Sequence, residues 1–154
     1  MEYVNPGTPR MIWFGGRRPA LVPGKPLDEG TLQYHLGIEV ADVGDDFLQL
    51  RMPVDQRTRQ PFGRLHGGAS VALAETAGSM AAGLCVDPDV SVVVGLEINA
   101  NHVRPAYDGW VYATARPESI GRTMHVWSIR VEDEAGKLVC IARHTVTVLP
   151  RERA

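Results

Sequence analysis

Hydrophobic and polar positions alternate most cleanly over residues 95–101. Leu96, Ile98 and Ala100 fall on one side there, and Glu97, Asn99 and Asn101 on the other. A period of two sets one face of a strand against a core and leaves the other polar. Five further segments, 38–42, 47–52, 110–116, 124–132 and 138–149, read as strands. The polar runs Gly44-Asp45-Asp46 and Glu134-Ala135-Gly136-Lys137 join the first and last pairs as hairpins. No strand–helix alternation calls for a parallel sheet.

The pattern changes over residues 68–85. Small or apolar side chains occupy nearly every position, and Glu75 is the only charge. Such a helix is predicted to be buried on all sides, with the sheet wrapped around it. At about 1.5 Å per residue it spans roughly 27 Å, the length of an eight- or nine-residue strand. Asp87-Pro88 ends it. A short helix capped by Asp28 and stopped by Gly37 is expected ahead of the first strand. The fold class is α+β: one antiparallel sheet of about six strands and one principal helix, over residues 31–150. Residues 1–30 hold Pro6, Pro9, Pro19, Pro23 and Pro26 with several glycines, and read as a loosely ordered lead-in, not a second domain.

With 154 residues the chain has the size of one domain. A net charge of −2 provides no general attraction to nucleic acid or to an anionic membrane. No run of about 18 apolar residues predicts a membrane span, and residues 1–10 show no signal-peptide pattern, so a cytoplasmic location is expected. Cys85 and Cys140 lie far apart, outside any CxxC motif, and read as small buried residues in a reducing compartment. No pair of histidines has zinc-ligand spacing, so neither a metal nor a cofactor is expected.

Glu75 carries the candidate chemistry. A buried carboxylate is costly unless partnered, so its presence mid-helix points either to a structural role at a subunit wall or to catalysis. Three features favour catalysis. His66-Gly67-Gly68 opens the helix without a Ser, Thr, Asp or Asn cap, so backbone N–H groups at the positive end of the dipole stand ready for an oxyanion. The same glycines would also suit close packing alone. Ser79 follows Glu75 by four residues and shares its face. Gln60, in the preceding loop, has an amide able to position water, although a glutamine there is more often a surface residue.

The segment 60–75, from Gln60-Pro61-Phe62-Gly63 through His66-Gly67-Gly68 to Glu75, resembles the phenylacetate-type and 4-hydroxybenzoyl-CoA-type hotdog thioesterases. More narrowly, it resembles bacterial enzymes acting on 1,4-dihydroxy-2-naphthoyl-CoA. Residues 94–104 and Met52-Pro53-Val54-Asp55 carry the same likeness, which covers about residues 31–149. Met11-Ile12-Trp13 looks like the family's usual beginning, leaving residues 1–10 as an extension or a misassigned start.

The resemblance implies a hotdog fold, acyl- or aroyl-CoA hydrolysis, active sites shared within a homodimer, and two dimers forming a tetramer. It implies Glu75 as nucleophile or general base, Gln60 as the residue orienting water, the Gly67 N–H polarising the thioester carbonyl, and His66 and Ser79 beside them. Coenzyme A contacts are implied at Gly68, Gly95, His102, Val103, Arg104, Ser119, Gly121, Arg122 and Thr123. Guanidinium geometry suits Arg122 to phosphate, while from pattern alone it is an ordinary solvated turn residue.

Two rival functions remain: a hotdog enoyl-CoA hydratase or dehydratase, which needs a histidine–carboxylate pair, and a non-catalytic acyl-CoA-binding module. Gly68-Ala69-Ser70-Val71-Ala72 lacks the final glycine of a nucleophile elbow, and the chain has no strand–helix alternation for an α/β hydrolase.

Overall fold

The computed structural model describes residues 11–152. A short helix α1 (Leu32–His35) precedes strands β1 (Glu39–Val43) and β2 (Leu48–Pro53). The long helix α2 (Gly67–Leu84) follows, then β3 (Ser91–His102), β4 (Trp110–Ile120), β5 (Met124–Asp133) and β6 (Leu138–Pro150). The strands form one sheet in the order β1-β2-β4-β5-β6-β3, every neighbouring pair antiparallel. This is the hotdog fold: a six-stranded antiparallel sheet packed on one long helix.

Alternation along the strands builds the core. Leu48, Leu50 and Met52 of β2, Val111, Ala113 and Ala115 of β4, and Trp127, Ile129 and Val131 of β5 are fully buried on the face toward α2. Cys140, Ala142, His144 and Val146 continue that face on β6. The helix answers with Leu73, Ala74, Ala77, Gly78, Ala81 and Ala82, whose small side chains let the sheet come close.

Burial of α2 differs from expectation. Val71, Ala72, Glu75, Thr76, Ser79 and Met80 are only half-buried, because the sheet of a single chain curls over one side of the helix. Alternation along β3 also breaks at one point. Ile98 and Ala100 face the helix half-buried, but Leu96 is 60% exposed, because the register with β6 shifts between Gly95 and Glu97. One extra residue in a strand turns every side chain before it to the other face.

The lead-in is better ordered than its prolines suggest over its described part. Trp13 is buried, and its indole N–H donates to the Gly44 carbonyl at 2.7 Å. Farther on, Gly24 N–H donates to Val40 O (2.8 Å) and Leu27 N–H to Ile38 O (3.3 Å), so this segment covers the β1 edge. Prolines prevented a regular strand there without preventing contact. The extension at residues 1–10 lies outside the described residues. Thr31, not Asp28, caps α1 by accepting from Tyr34 N–H, and Gly37, with φ of +70°, ends it as expected.

Candidate active site

Residues 55–66 form the loop leading to α2, and hydrogen bonds hold it at both ends. Asp55 N–H donates to Thr58 Oγ1, Thr58 Oγ1 donates to Pro53 O at 2.7 Å, and the Arg57 guanidinium pairs with the Asp55 carboxylate at 2.6 Å. That guanidinium holds the Asp55 carboxyl below the usual carboxylate range. His66 N–H donates to Thr58 O, and Leu65 N–H to Ala106 O, fixing the start of the helix. Gly63 turns the chain at φ +83°, where its N–H reaches Gln60 O. Gln60 Oε1 accepts the Phe62 N–H, which leaves its NH2 group available for a ligand.

The helix start carries a cap after all: His66 Nδ1 accepts from the Gly68 N–H at 2.8 Å. Histidine is not among the usual capping residues, which is why the pattern concealed it. The cap uses up the Gly68 N–H and leaves Gly67 as the candidate donor, since its N–H meets no acceptor among the described residues. Gly67 opens on a cavity of about 340 Å³ shared with Gln60, Arg64, His102, Val103 and Arg104. A Cβ at position 67 would stand 2.9 Å from His102 Nε2, so the glycine keeps this approach open.

Glu75 lines a different cavity, of about 600 Å³. Its walls are Leu21, Val22, Pro26, Leu27, Val40 and Met80, with Lys25, Asp28, Gln33, Thr76 and Ser79 adding polar groups. The lead-in thus supplies much of this cavity, a contribution its composition did not signal. Gly95 lies directly behind the carboxylate: a Cβ there would be 3.1 Å from Glu75 Oε1. Ser79 Oγ is 2.9 Å from Nε2 of His144, a fully buried histidine absent from the sequence-predicted set.

The structure therefore brings the predicted residues together in two groups. Gln60, Gly67, His102, Val103 and Arg104 share one cavity; Glu75 and Ser79 share the other, with Gly95 at its back. Gly68 and His66 are exposed beside the first. Ser119, at the end of β4, and Gly121, Arg122 and Thr123 in the turn after it line neither cavity. They sit at the far end of the sheet from His102: Thr123 O accepts from Val148 N–H, whereas His102 pairs with Cys140. Gly121 has a local reason of its own, since a Cβ would meet Met124 O at 2.8 Å.

The cysteines offer no nucleophile. Burial pushes the Cys85 thiol up to about 12 and raises Cys140 as well. Among the described residues no cluster of three His, Cys, Asp or Glu side chains could hold a metal, and no helix is long and apolar enough to cross a membrane.

Comparison with known proteins decides what this arrangement belongs to. The model of the thioesterase superfamily matches residues 62–140, from the loop before α2 into β6. The chain belongs to the thioesterase superfamily. This thioesterase is 48% identical over 139 residues to the 1,4-dihydroxy-2-naphthoyl-CoA hydrolase of Escherichia coli, covering 90% of the chain and 100% of that relative. It is 47% identical to the proofreading thioesterase EntH of Cronobacter turicensis, across 90% of the chain and 99% of the relative. Among solved structures, a mutant thioesterase from Pseudomonas aeruginosa superposes with a TM-score of 0.86 at 47% identity, covering 91% of this chain and 99% of that one.

Proposed function

We propose that this thioesterase hydrolyses aroyl- and acyl-CoA esters at sites shared between two copies of the chain, with Glu75 of one copy facing Gln60 and Gly67 of the other. One observation carries the reading. Glu75 and Gly67 lie eight residues apart on one helix, about 12 Å along its axis, and open into separate cavities. A carboxylate and an oxyanion donor at that separation cannot meet one carbonyl group within a single chain. An antiparallel second copy brings the two halves together.

The sheet edges support the same arrangement. The lead-in covers β1, whereas β3, at the opposite edge, is a twelve-residue strand with Val94 46% and Leu96 60% exposed. An edge of that length, uncovered among the described residues, suits pairing with another copy. Two such dimers forming a tetramer complete the assembly.

In the reaction, the thioester carbonyl lies at the Gly67 N–H, which stabilises the oxyanion as it forms. Glu75 either takes a proton from water attacking the carbonyl carbon or attacks that carbon itself, and the C–S bond breaks with coenzyme A leaving as a thiolate. Arg64 and Arg104 offer positive charge beside the Gly67 cavity for the pantetheine-phosphate side, with Arg122 as a further phosphate contact. The acyl group enters the 600 Å³ cavity, a volume suited to a ring system. The polar groups set among its apolar walls favour a hydroxylated aromatic acyl group over a saturated chain, in keeping with the name of the Escherichia coli relative.

The hydratase reading loses support, because among the described residues no histidine forms an ion pair with a carboxylate. A binding-only module is separated by thiol release from coenzyme A esters. Mixing the inactive variants Glu75→Gln and Gln60→Ala tests the shared site. Random reassociation restores about a quarter of wild-type activity if each site draws on two chains, because half the dimers then carry one intact site. No recovery after verified subunit exchange rejects the proposal.

A further inference from the structure

We infer that His144 is a positioning residue that aims the Ser79 hydroxyl, so that Ser79 presents its oxygen and not its proton to the water that Glu75 deprotonates; the inference rests on the thioesterase reading above.

His144 lies on the inner face of β6, fully buried, and both its ring nitrogens are engaged. Nδ1 is 3.0 Å from the Glu97 carbonyl and Nε2 is 2.9 Å from Ser79 Oγ. A carbonyl oxygen can only accept, so Nδ1 carries the hydrogen; in a neutral imidazole Nε2 is then the acceptor. Ser79 must therefore donate its hydroxyl proton to His144. With both nitrogens partnered, the ring cannot be flipped without losing both bonds.

Three local features hold the ring there. β3 is bulged between Gly95 and Glu97, and a bulge takes one residue out of the ladder and re-aims its neighbours; the Glu97 carbonyl beside it receives Nδ1. Gly78 on the helix lacks a Cβ that would fall 3.0 Å from Cδ2 of the ring. Gly95 lacks one that would fall 3.1 Å from Cε1 and equally close to Glu75 Oε1. The ring is thus held between helix and bulged strand, one glycine away from the carboxylate.

The consequence falls on the cavity that Ser79 and Glu75 share. With its proton committed to His144, Ser79 turns lone pairs toward that space. A water there donates one O–H to the Glu75 carboxylate and the other to Ser79 Oγ, leaving its own lone pair free to form the new C–O bond. Glu75 takes the proton as that C–O bond forms, and the C–S bond then breaks with coenzyme A leaving as a thiolate. A Ser79 hydroxyl free to rotate would donate to Glu75 directly, compete with the water and weaken the base.

Two measurements on the intact oligomer test this. Nitrogen-15 spectra of the His144 ring should show a protonated Nδ1 and a bare Nε2 whose resonance moves in Ser79→Ala. In kinetics, His144→Leu should lower kcat about tenfold with little change in KM, the loss of one well-placed hydrogen bond. The same substitution should leave the kcat of Ser79→Ala unchanged. A protonated Nε2, or equal losses in both backgrounds, overturns the assignment. If His144→Leu fails to fold, the spectra of the wild type decide alone. A wild type that releases no thiol from any coenzyme A ester sinks the thioesterase reading itself, whereas an active wild type with additive losses sinks only the role of His144.

Discussion

Gly95 lies behind Glu75 so closely that a single added carbon would stand 3.1 Å from the carboxylate oxygen. The glycine fixes how far the acid can withdraw from the cavity. Gly95→Val is expected to displace the carboxylate and reduce kcat/KM by about tenfold or more, since small misplacements at a reacting centre cost about that much. The same carbon would press on the buried His144 ring at 3.1 Å, so the melting temperature should fall modestly while the protein stays folded at the assay temperature. Loss of activity in step with loss of folded protein would contradict the steric account.

Glu75→Gln keeps the volume of the side chain and removes its basicity. Hydrolysis of every accepted ester should fall by about 10²–10⁴-fold with an unchanged circular dichroism spectrum. More than a tenth of wild-type turnover on any good substrate would remove Glu75 from the mechanism. Single turnover in heavy-oxygen water distinguishes the two routes, because label entering the carboxylate marks it as the nucleophile.

The Asp55–Arg57 pair that steadies the loop before α2 should give stability a mild acid dependence. Folding lowers the Asp55 carboxyl, first through the Arg57 hydrogen bond, so its contribution is complete above the unfolded value of about 3.9 and is lost as pH falls through the folded one. Both side chains are partly exposed, at 29% and 44%, which limits the effect to about 1 kcal/mol or less. Denaturant melts should show Asp55→Asn less stable than wild type at pH 7, the two converging near about pH 2. A gap that stays constant with pH would mean the ionised carboxylate contributes nothing.

Thiol reagents should leave the enzyme active. With Cys85 raised from 9.0 to about 12, its thiolate fraction at pH 8 is about a thousandfold below that of a free cysteine, and alkylation should slow accordingly. Rapid labelling of Cys85 in the folded protein, followed by mass spectrometry, would show the thiol to be more accessible than its burial implies.

The strand segments and the long helix were readable because each leaves a periodic trace: alternation in the strands, and a run of small residues over 68–85. The bulge at Leu96 was not, since one inserted residue leaves the alternation of letters intact while reversing the direction of the side chains. His144 occupies an ordinary inward position of β6, and nothing in the string links it to Ser79, sixty-five residues earlier. The lead-in misled for a different reason. Proline and glycine report on regular hydrogen bonding, but Trp13 and Leu27 reveal themselves as anchors only once the groups they meet are placed. Gln60, Gly67, Glu75 and Ser79 could be named as candidates from the sequence; their division between two cavities was a matter of distance along a rigid helix, which only three dimensions display.

The outer edge of β3, which no strand among the described residues covers, bears on how this chain survives its own synthesis. A freshly folded copy offers a dozen residues of uncapped ladder with valine and leucine beside it, and any stray strand can dock there as readily as a sister molecule. On the proposed assembly, pairing is therefore a safeguard against clumping as well as a route to activity. Dilute preparations would lose turnover first, and crowded, half-assembled ones would lose solubility.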